Sequence, residues 1–106
     1  MKPTGPIPPY FTAQDGELAI GGRTVSALVA QAGDTPLFVY SIEALEARIA
    51  ALRAALPAEL GLHYAMKANP FAPLLAWMDG RVDGFDVASG GELKLALAAG
   101  VAPDKI

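Results

Sequence analysis

The side chains in this chain that could do chemistry are the amine of Lys67, the carboxylates of Asp86 and Glu92 and the imidazole of His63. Lys67 is the foremost of them. It ends the stretch Leu62-His63-Tyr64-Ala65-Met66-Lys67, in which Leu62, Tyr64 and Met66 alternate with His63, Ala65 and Lys67. That period of two predicts a strand with one bulky apolar face and a second face that carries the lysine. Asn69 can cap a helix and Pro70 can open it, so the strand is expected to run straight into a helix and to leave Lys67 at its carboxyl end. In α/β architectures ligands bind at that end, where strand ends and helix N-termini converge. The competing reading is a lysine that only carries its ammonium out of a strand end into water.

The same alternation returns from Val82, with Phe85 and Val87 pointing one way and Gly84, Asp86 and Ala88 the other. Two adjacent strands presenting Ala65, Lys67, Asp86 and Ala88 inward would leave room for a flat ring. An acid on that inward face has no local capping task, so Asp86 is either a site residue or a partly solvated strand-end carboxylate. Glu92 does have such a task. Ser89-Gly90-Gly91-Glu92 has the spacing of a capping box, in which Ser89 accepts from the third helical amide and Glu92 reaches back to the Ser89 amide. His63 is the sole histidine, so zinc or a nucleophilic triad has no companion ligands here.

The elements that must position these residues follow from turn and cap chemistry. Residues 1 to 14 carry four prolines and no hydrophobic period, and are expected to form an extended, poorly ordered arm. Asp15-Gly16 marks a turn, Glu17 to Ile20 a strand, and Gly21-Gly22 a two-residue hairpin into Arg23-Thr24-Val25. A phosphate cradle would need a longer glycine pattern opening a helix. Ser26 is expected to cap a helix from Ala27 to Ala32 that Gly33 stops. A strand from Pro36 to Tyr40 follows, and then a helix capped by Ser41, striped by Ile42, Leu45, Ile49, Leu52 and Leu56 and stopped by Pro57. That stripe is expected to pack on the chain's own sheet. Beyond Lys67 a helix is expected over Pro70 to Asp79, with Trp77 and Met78 as core residues, and a last one over Gly90 to Ala99.

With 106 residues, 53% of them hydrophobic, and a net charge of −3, the chain has the size of one soluble globular domain and none of the basic character that nucleic acid requires. The absence of cysteine excludes disulfides and thiolate chemistry within it and suits a reducing cytoplasm. No apolar run reaches the roughly 18 residues that span a bilayer, and the proline-studded start has no signal-peptide core.

His63-Tyr64-Ala65-Met66-Lys67-Ala68-Asn69-Pro70 resembles the pyridoxal-phosphate lysine motif of the alanine-racemase-like decarboxylases, the family that includes diaminopimelate, ornithine and arginine decarboxylases. Thr35-Pro36-Leu37-Phe38-Val39-Tyr40 resembles that family's opening strand. Gly84-Phe85-Asp86-Val87-Ala88-Ser89-Gly90-Gly91-Glu92-Leu93 resembles its second barrel strand and the helix after it. The likeness runs from about Gly16 to the end, and Met1 to Pro8 resembles a subgroup associated with the bacterial exosortase system. It implies an α/β fold, the start of a (β/α)₈ barrel over residues 35–106. Residues 1–34 would be an arm, a hairpin that belongs to a second β-domain, and a short helix. A barrel needs about 250 residues, so an N-terminal portion of a longer protein is expected.

The resemblance further implies a pyridoxal-phosphate-dependent decarboxylase of a basic or diamino acid, homodimeric when complete. Lys67 would form the Schiff base, Ala65 and Asp86 would line the cofactor, His63 would lie deeper on the same face, and Glu92 would stand near lysine and cofactor. A lysine must be neutral to attack an aldehyde, which requires lowering its ordinary pKa of about 10.4 by burial or neighbouring cations. The family's phosphate loop, its acid for the pyridine nitrogen and its catalytic cysteine would lie downstream of Ile106, so the 106 residues alone are expected to be inactive. The alternatives are a non-catalytic structural module and part of a racemase-like or PLP-carrier barrel; the hairpin and the Gly-Phe-Asp-Val-Ala-Ser stretch favour the decarboxylase.

Overall fold

Asp15 and Gly16 both adopt positive φ, 51° and 78°, and so do Gly21 and Gly22, at 58° and 74°. Left-handed pairs of this kind turn a strand back with the twist its partner needs. They join β1 (Thr12–Gln14), β2 (Glu17–Ile20) and β3 (Arg23–Thr24) into an antiparallel sheet in which Ala19 lies opposite both Thr12 and Thr24. The structure is a computed structural model that describes residues 5–106. The expected arm is therefore shorter than the sequence predicts: its last residues pair as β1, and Met1 to Thr4 lie outside the described residues. With no hydrophobic period of its own, this segment is a strand because β2 offers it an edge.

Two units make up the chain, residues 1–50 and 51–106. In the first, α1 (Val25–Ala32) packs on β2 and β3, and Ala19 is buried. Its cap is Thr24, whose Oγ1 accepts from the Ala27 amide at 3.3 Å, and Gly33 ends it. Ser26, the expected cap, is engaged elsewhere: its amide and its hydroxyl donate to the Glu17 carboxylate at 3.1 and 2.5 Å. Those two bonds hold the Glu17 carboxyl below its usual pKa. Pro36 to Tyr40 does not form the expected strand. Among the described residues nothing pairs with it, and Phe38 is 91% exposed. A strand exists only through a partner's hydrogen bonds, which local sequence cannot supply.

The helix α2 (Ile42–Ala55) crosses from the first unit into the second. Ser41 caps it as expected, accepting from the Ala44 amide at 3.3 Å. Its stripe is not packed as the sequence predicts: Leu45, Ile49 and Leu52 are half-buried, while Ile42 and Leu56 are exposed.

In the second unit β4 (His63–Ala65) pairs in parallel with β5 (Gly84–Asp86), in the register His63 to Gly84, Tyr64 to Phe85 and Ala65 to Asp86. Parallel neighbours need a crossover, and α3 (Ala72–Met78) provides it. α4 (Gly90–Ala98) follows β5 and packs against α3. Met66, Leu74, Leu75, Met78, Val82, Phe85, Ala96 and Val101 are the buried core of this unit. Trp77 is half-buried rather than a core residue, and it carries the Arg81 guanidinium 4.3 Å from its ring centroid. Two ion pairs tie the unit together, Arg53 with Asp83 at 2.5 Å and Lys105 with Asp79 at 2.8 Å.

Candidate active site around Lys67

The two faces of the β4–β5 pair divide as their alternation requires. On one face the Tyr64 and Phe85 rings meet edge to face, 6.2 Å between centroids and 83° between planes, and Met66 beyond them is fully buried. On the other face the register sets His63 beside Gly84 and Ala65 beside Asp86. Ala65 is half-buried and Asp86 exposed, so a small side chain and a free carboxylate stand next to each other at the carboxyl ends of both strands.

Lys67 lies two residues past the end of β4, in a 3₁₀ turn over Met66–Ala68. The turn has no side-chain cap of its own. Met66 anchors it in the core from one side, and across it the Tyr64 hydroxyl donates to the Asn69 carbonyl oxygen at 2.9 Å. Asn69 does not cap the following helix as the sequence predicts. Its Oδ1 accepts from the Phe71 amide at 3.1 Å, so α3 starts at Ala72, two residues late, with Pro73 in its first turn. The side chain satisfied the nearest amide, two residues on, and formed a turn of its own before the helix. Lys67 itself is exposed, and no hydrogen bond or ion pair joins it to another described residue. The burial that the sequence reading invoked for the lysine is not provided by the described residues.

His63 stands further toward the start of β4, two residues before Ala65, or ~7 Å at the rise of a strand. Its ring lies over Gly84 so closely that a Cβ there would fall 2.7 Å from His63 Cδ2 and 2.8 Å from Nε2. Its neighbour Asp83 accepts from Arg53 and from the Leu62 amide at 2.6 Å, bonds that hold the Asp83 carboxyl below its usual pKa. Glu92 follows the capping box with one displacement. Its amide donates to Ser89 Oγ at 3.1 Å, but its carboxylate accepts from the Ala88 amide at 2.8 Å rather than from that of Ser89. Glu92 thereby holds the link between β5 and α4. Among the described residues no hydrogen bond or ion pair connects Lys67 with Asp86, Glu92 or His63.

Two residues of this site escape the sequence reading. Tyr64 counts there only as bulk on the apolar face, although a tyrosine at such a place commonly has a partner for its hydroxyl. Gly84 counts only as a small residue, although a glycine inside a strand pattern marks a close approach.

Residues 42–106 match the family described as pyridoxal-dependent decarboxylase, pyridoxal binding domain. The chain is 46% identical over 99 residues to the diaminopimelate decarboxylase of Aquifex aeolicus, an alignment covering 92% of this chain and 23% of that protein. It is 40% identical over 67 residues to the lysine/ornithine decarboxylase of Selenomonas ruminantium, covering 63% of this chain and 17% of the relative. A crystal structure of AQ1208 from Aquifex aeolicus superposes with a TM-score of 0.76 at 41% identity, over 92% of this chain and 24% of that one. The chain thus spans about a quarter of the length of the relatives it matches. On the family match and the identities together, this mixed α/β chain belongs to the pyridoxal-dependent decarboxylases, with residues 42–106 in their pyridoxal-binding domain.

Proposed function

We propose that this chain is the N-terminal portion of a pyridoxal-phosphate-dependent decarboxylase of a basic or diamino acid, diaminopimelate foremost, with Lys67 as the residue that bonds the cofactor. The observation that carries the reading is Lys67 itself, an unpartnered, exposed amine on an anchored turn at the carboxyl ends of two parallel strands. The names of the relatives support the reaction and the substrate class, and favour a decarboxylase over a racemase-like barrel.

The residues fit the group. An amine is the side chain that bonds an aldehyde carbon, and the face beside it holds Ala65, whose methyl leaves space for a flat ring, next to the Asp86 carboxylate. When bound, pyridoxal phosphate supplies the electron sink for the charge left at Cα as carbon dioxide departs. Lys67 would hold it at the aldehyde end. Ala65 and Asp86 would line the cofactor. His63 would bound the face toward the strand start. Glu92, whose Oε2 accepts from the Ala88 amide, would stand near the lysine and the cofactor.

The same proposal takes residues 35–106 as the first elements of a (β/α)₈ barrel. It takes residues 1–34 as an arm, a hairpin that completes a second β-domain, and a short helix. It includes a homodimer in the cytoplasm and the exosortase-associated subgroup that Met1 to Pro8 resembles. No helix among the described residues is long and apolar enough to cross a membrane. The test is borohydride reduction of the complete protein loaded with pyridoxal phosphate, followed by peptide mapping. A pyridoxyl group on Lys67 is expected, together with loss of carbon dioxide release from diaminopimelate, lysine or ornithine in Lys67→Ala. A label on Lys2, Lys94 or Lys105 instead would overturn the assignment.

A further inference from the structure

We propose that Tyr64 is a positioning residue for Lys67, acting through the hydrogen bond that its hydroxyl makes across the lysine's turn to the Asn69 carbonyl. The inference rests on the reading of Lys67 given above and adds to it the device that aims the amine.

The turn needs such a device. Met66–Ala68 is a single 3₁₀ turn, a form whose hydrogen bonds are poorly aligned. Its first flanking residue, Ala65, offers no side chain to cap it, and Asn69, which follows, spends its own side chain on the Phe71 amide. On the core side the turn is fixed at one point, the fully buried Met66. A single anchor leaves the next residue free to swing about it. The Tyr64 hydroxyl, 2.9 Å from the Asn69 oxygen, adds a second fixed point, and Lys67 lies between the two. The donor is itself held, because the Tyr64 ring stands edge-on against Phe85, which is 2% exposed, and Phe85 belongs to the paired strand β5. The chain of contacts from β5 through Phe85, Tyr64 and Asn69 therefore fixes the direction in which the turn presents its lysine. Tyr64 reaches no ligand in this scheme. Its ring faces the apolar side while Ala65 faces the other.

The hydroxyl is separable from the ring. Tyr64→Phe keeps the ring and its edge-to-face contact with Phe85 and removes the hydroxyl, and the half-buried Asn69 can turn its carbonyl to water. Tyr64→Leu removes both. The complete protein, wild type and each variant, is incubated with pyridoxal phosphate, sampled by borohydride reduction over time and mapped for label at Lys67, and thermal unfolding is followed in parallel. The expected result is a rate of label acquisition at Lys67 in Tyr64→Phe about fivefold to tenfold below wild type, the size that one hydrogen bond of ordinary net strength supports. The melting temperature of Tyr64→Phe should stay close to that of wild type and above that of Tyr64→Leu. Unchanged labelling in Tyr64→Phe would overturn the inference. So would a Tyr64→Phe that melts as low as Tyr64→Leu, since the hydroxyl would then serve the fold and not the lysine. A wild type that labels on another lysine would remove the reading of Lys67 first, a result distinct from wild-type labelling at Lys67 that Tyr64→Phe leaves intact.

Discussion

Gly84→Ala puts a single methyl group where the second unit has no room for it. The added Cβ would lie 2.7 Å from the Lys105 carbonyl oxygen, 2.7 Å from His63 Cδ2 and 2.8 Å from His63 Nε2. The two obstacles differ in stiffness. His63 is exposed, and its ring can rotate away at small cost. The Lys105 carbonyl is backbone in the 3₁₀ turn Pro103–Lys105, whose Lys105 amide donates to Ala102 at 3.0 Å while the side chain is paired to Asp79 at 2.8 Å. Relief there requires the backbone to shift, and inserting a methyl group into a packed site costs about 1–3 kcal/mol. Against this, an alanine constrains the unfolded chain and returns about 0.4–1 kcal/mol, because Gly84 is not at positive φ. The net expectation is destabilisation by about 1–2 kcal/mol. Urea unfolding of the complete protein measures it, with Gly90→Ala as the control. Gly90 has nothing within 4 Å of its missing Cβ and no positive φ, so that substitution should be neutral or stabilising. In a Gly84→Ala, His63→Ala pair, the loss caused by the added methyl should shrink by less than half, since the carbonyl remains. An unfolding midpoint that Gly84→Ala leaves unmoved, or full restoration by His63→Ala, would refute the packing argument.

Two other outcomes follow from the same unit. Glu92→Ala removes the acceptor for the Ala88 amide and should cost about 1 kcal/mol, whereas Glu92→Gln keeps an acceptor and should cost a few tenths; a hundredfold rate loss in Glu92→Gln without loss of stability would instead give the carboxylate a direct part in catalysis. Asp83, held below its usual pKa by the Arg53 guanidinium and then the Leu62 amide, binds fewer protons folded than unfolded, so its contribution is present above the ordinary carboxylate range and lost as pH falls through its lowered value. Urea midpoints measured against pH should therefore show a shallower acid limb in Asp83→Asn, and an unchanged limb would count against the pair.

What the sequence discloses about this site is what depends on neighbours along the chain. The alternation of Leu62 to Met66 marks the strand because each side chain's face follows from its parity alone, but Met66 and Lys67 lie past its end in a 3₁₀ turn, where parity no longer sets the face. Asp15-Gly16 and Gly21-Gly22 are legible as turns because only residues tolerant of positive φ fit there. Ser89 and Glu92 are legible as a cap for a similar reason, yet which amide Glu92 takes is not. The carboxylate takes the amide of Ala88, the residue before the cap, at 2.8 Å. Caps slip wherever a competing partner is near. Thr24 outcompetes Ser26 because Glu17, distant along the chain but adjacent through the hairpin, has already engaged Ser26.

Pairing lies beyond that horizon. Pro36 to Tyr40 is the segment the sequence marks as a strand and Thr12 to Gln14 is not, yet among the described residues only Thr12 to Gln14 has an edge to join, so only it is one. The same distinction separates the lysine from what aims it. Lys67 is visible in a nine-residue string from Leu62 to Pro70, but the reason its turn holds still is a hydroxyl fixed by Phe85, a residue of the paired strand β5, which comes after α3 in the chain. A substitution at Phe85 should therefore disturb the presentation of Lys67 without touching it, and to a greater degree than a substitution at Lys94, which lies exposed on α4. Coupling of that kind passes through a chain of packed contacts with named members.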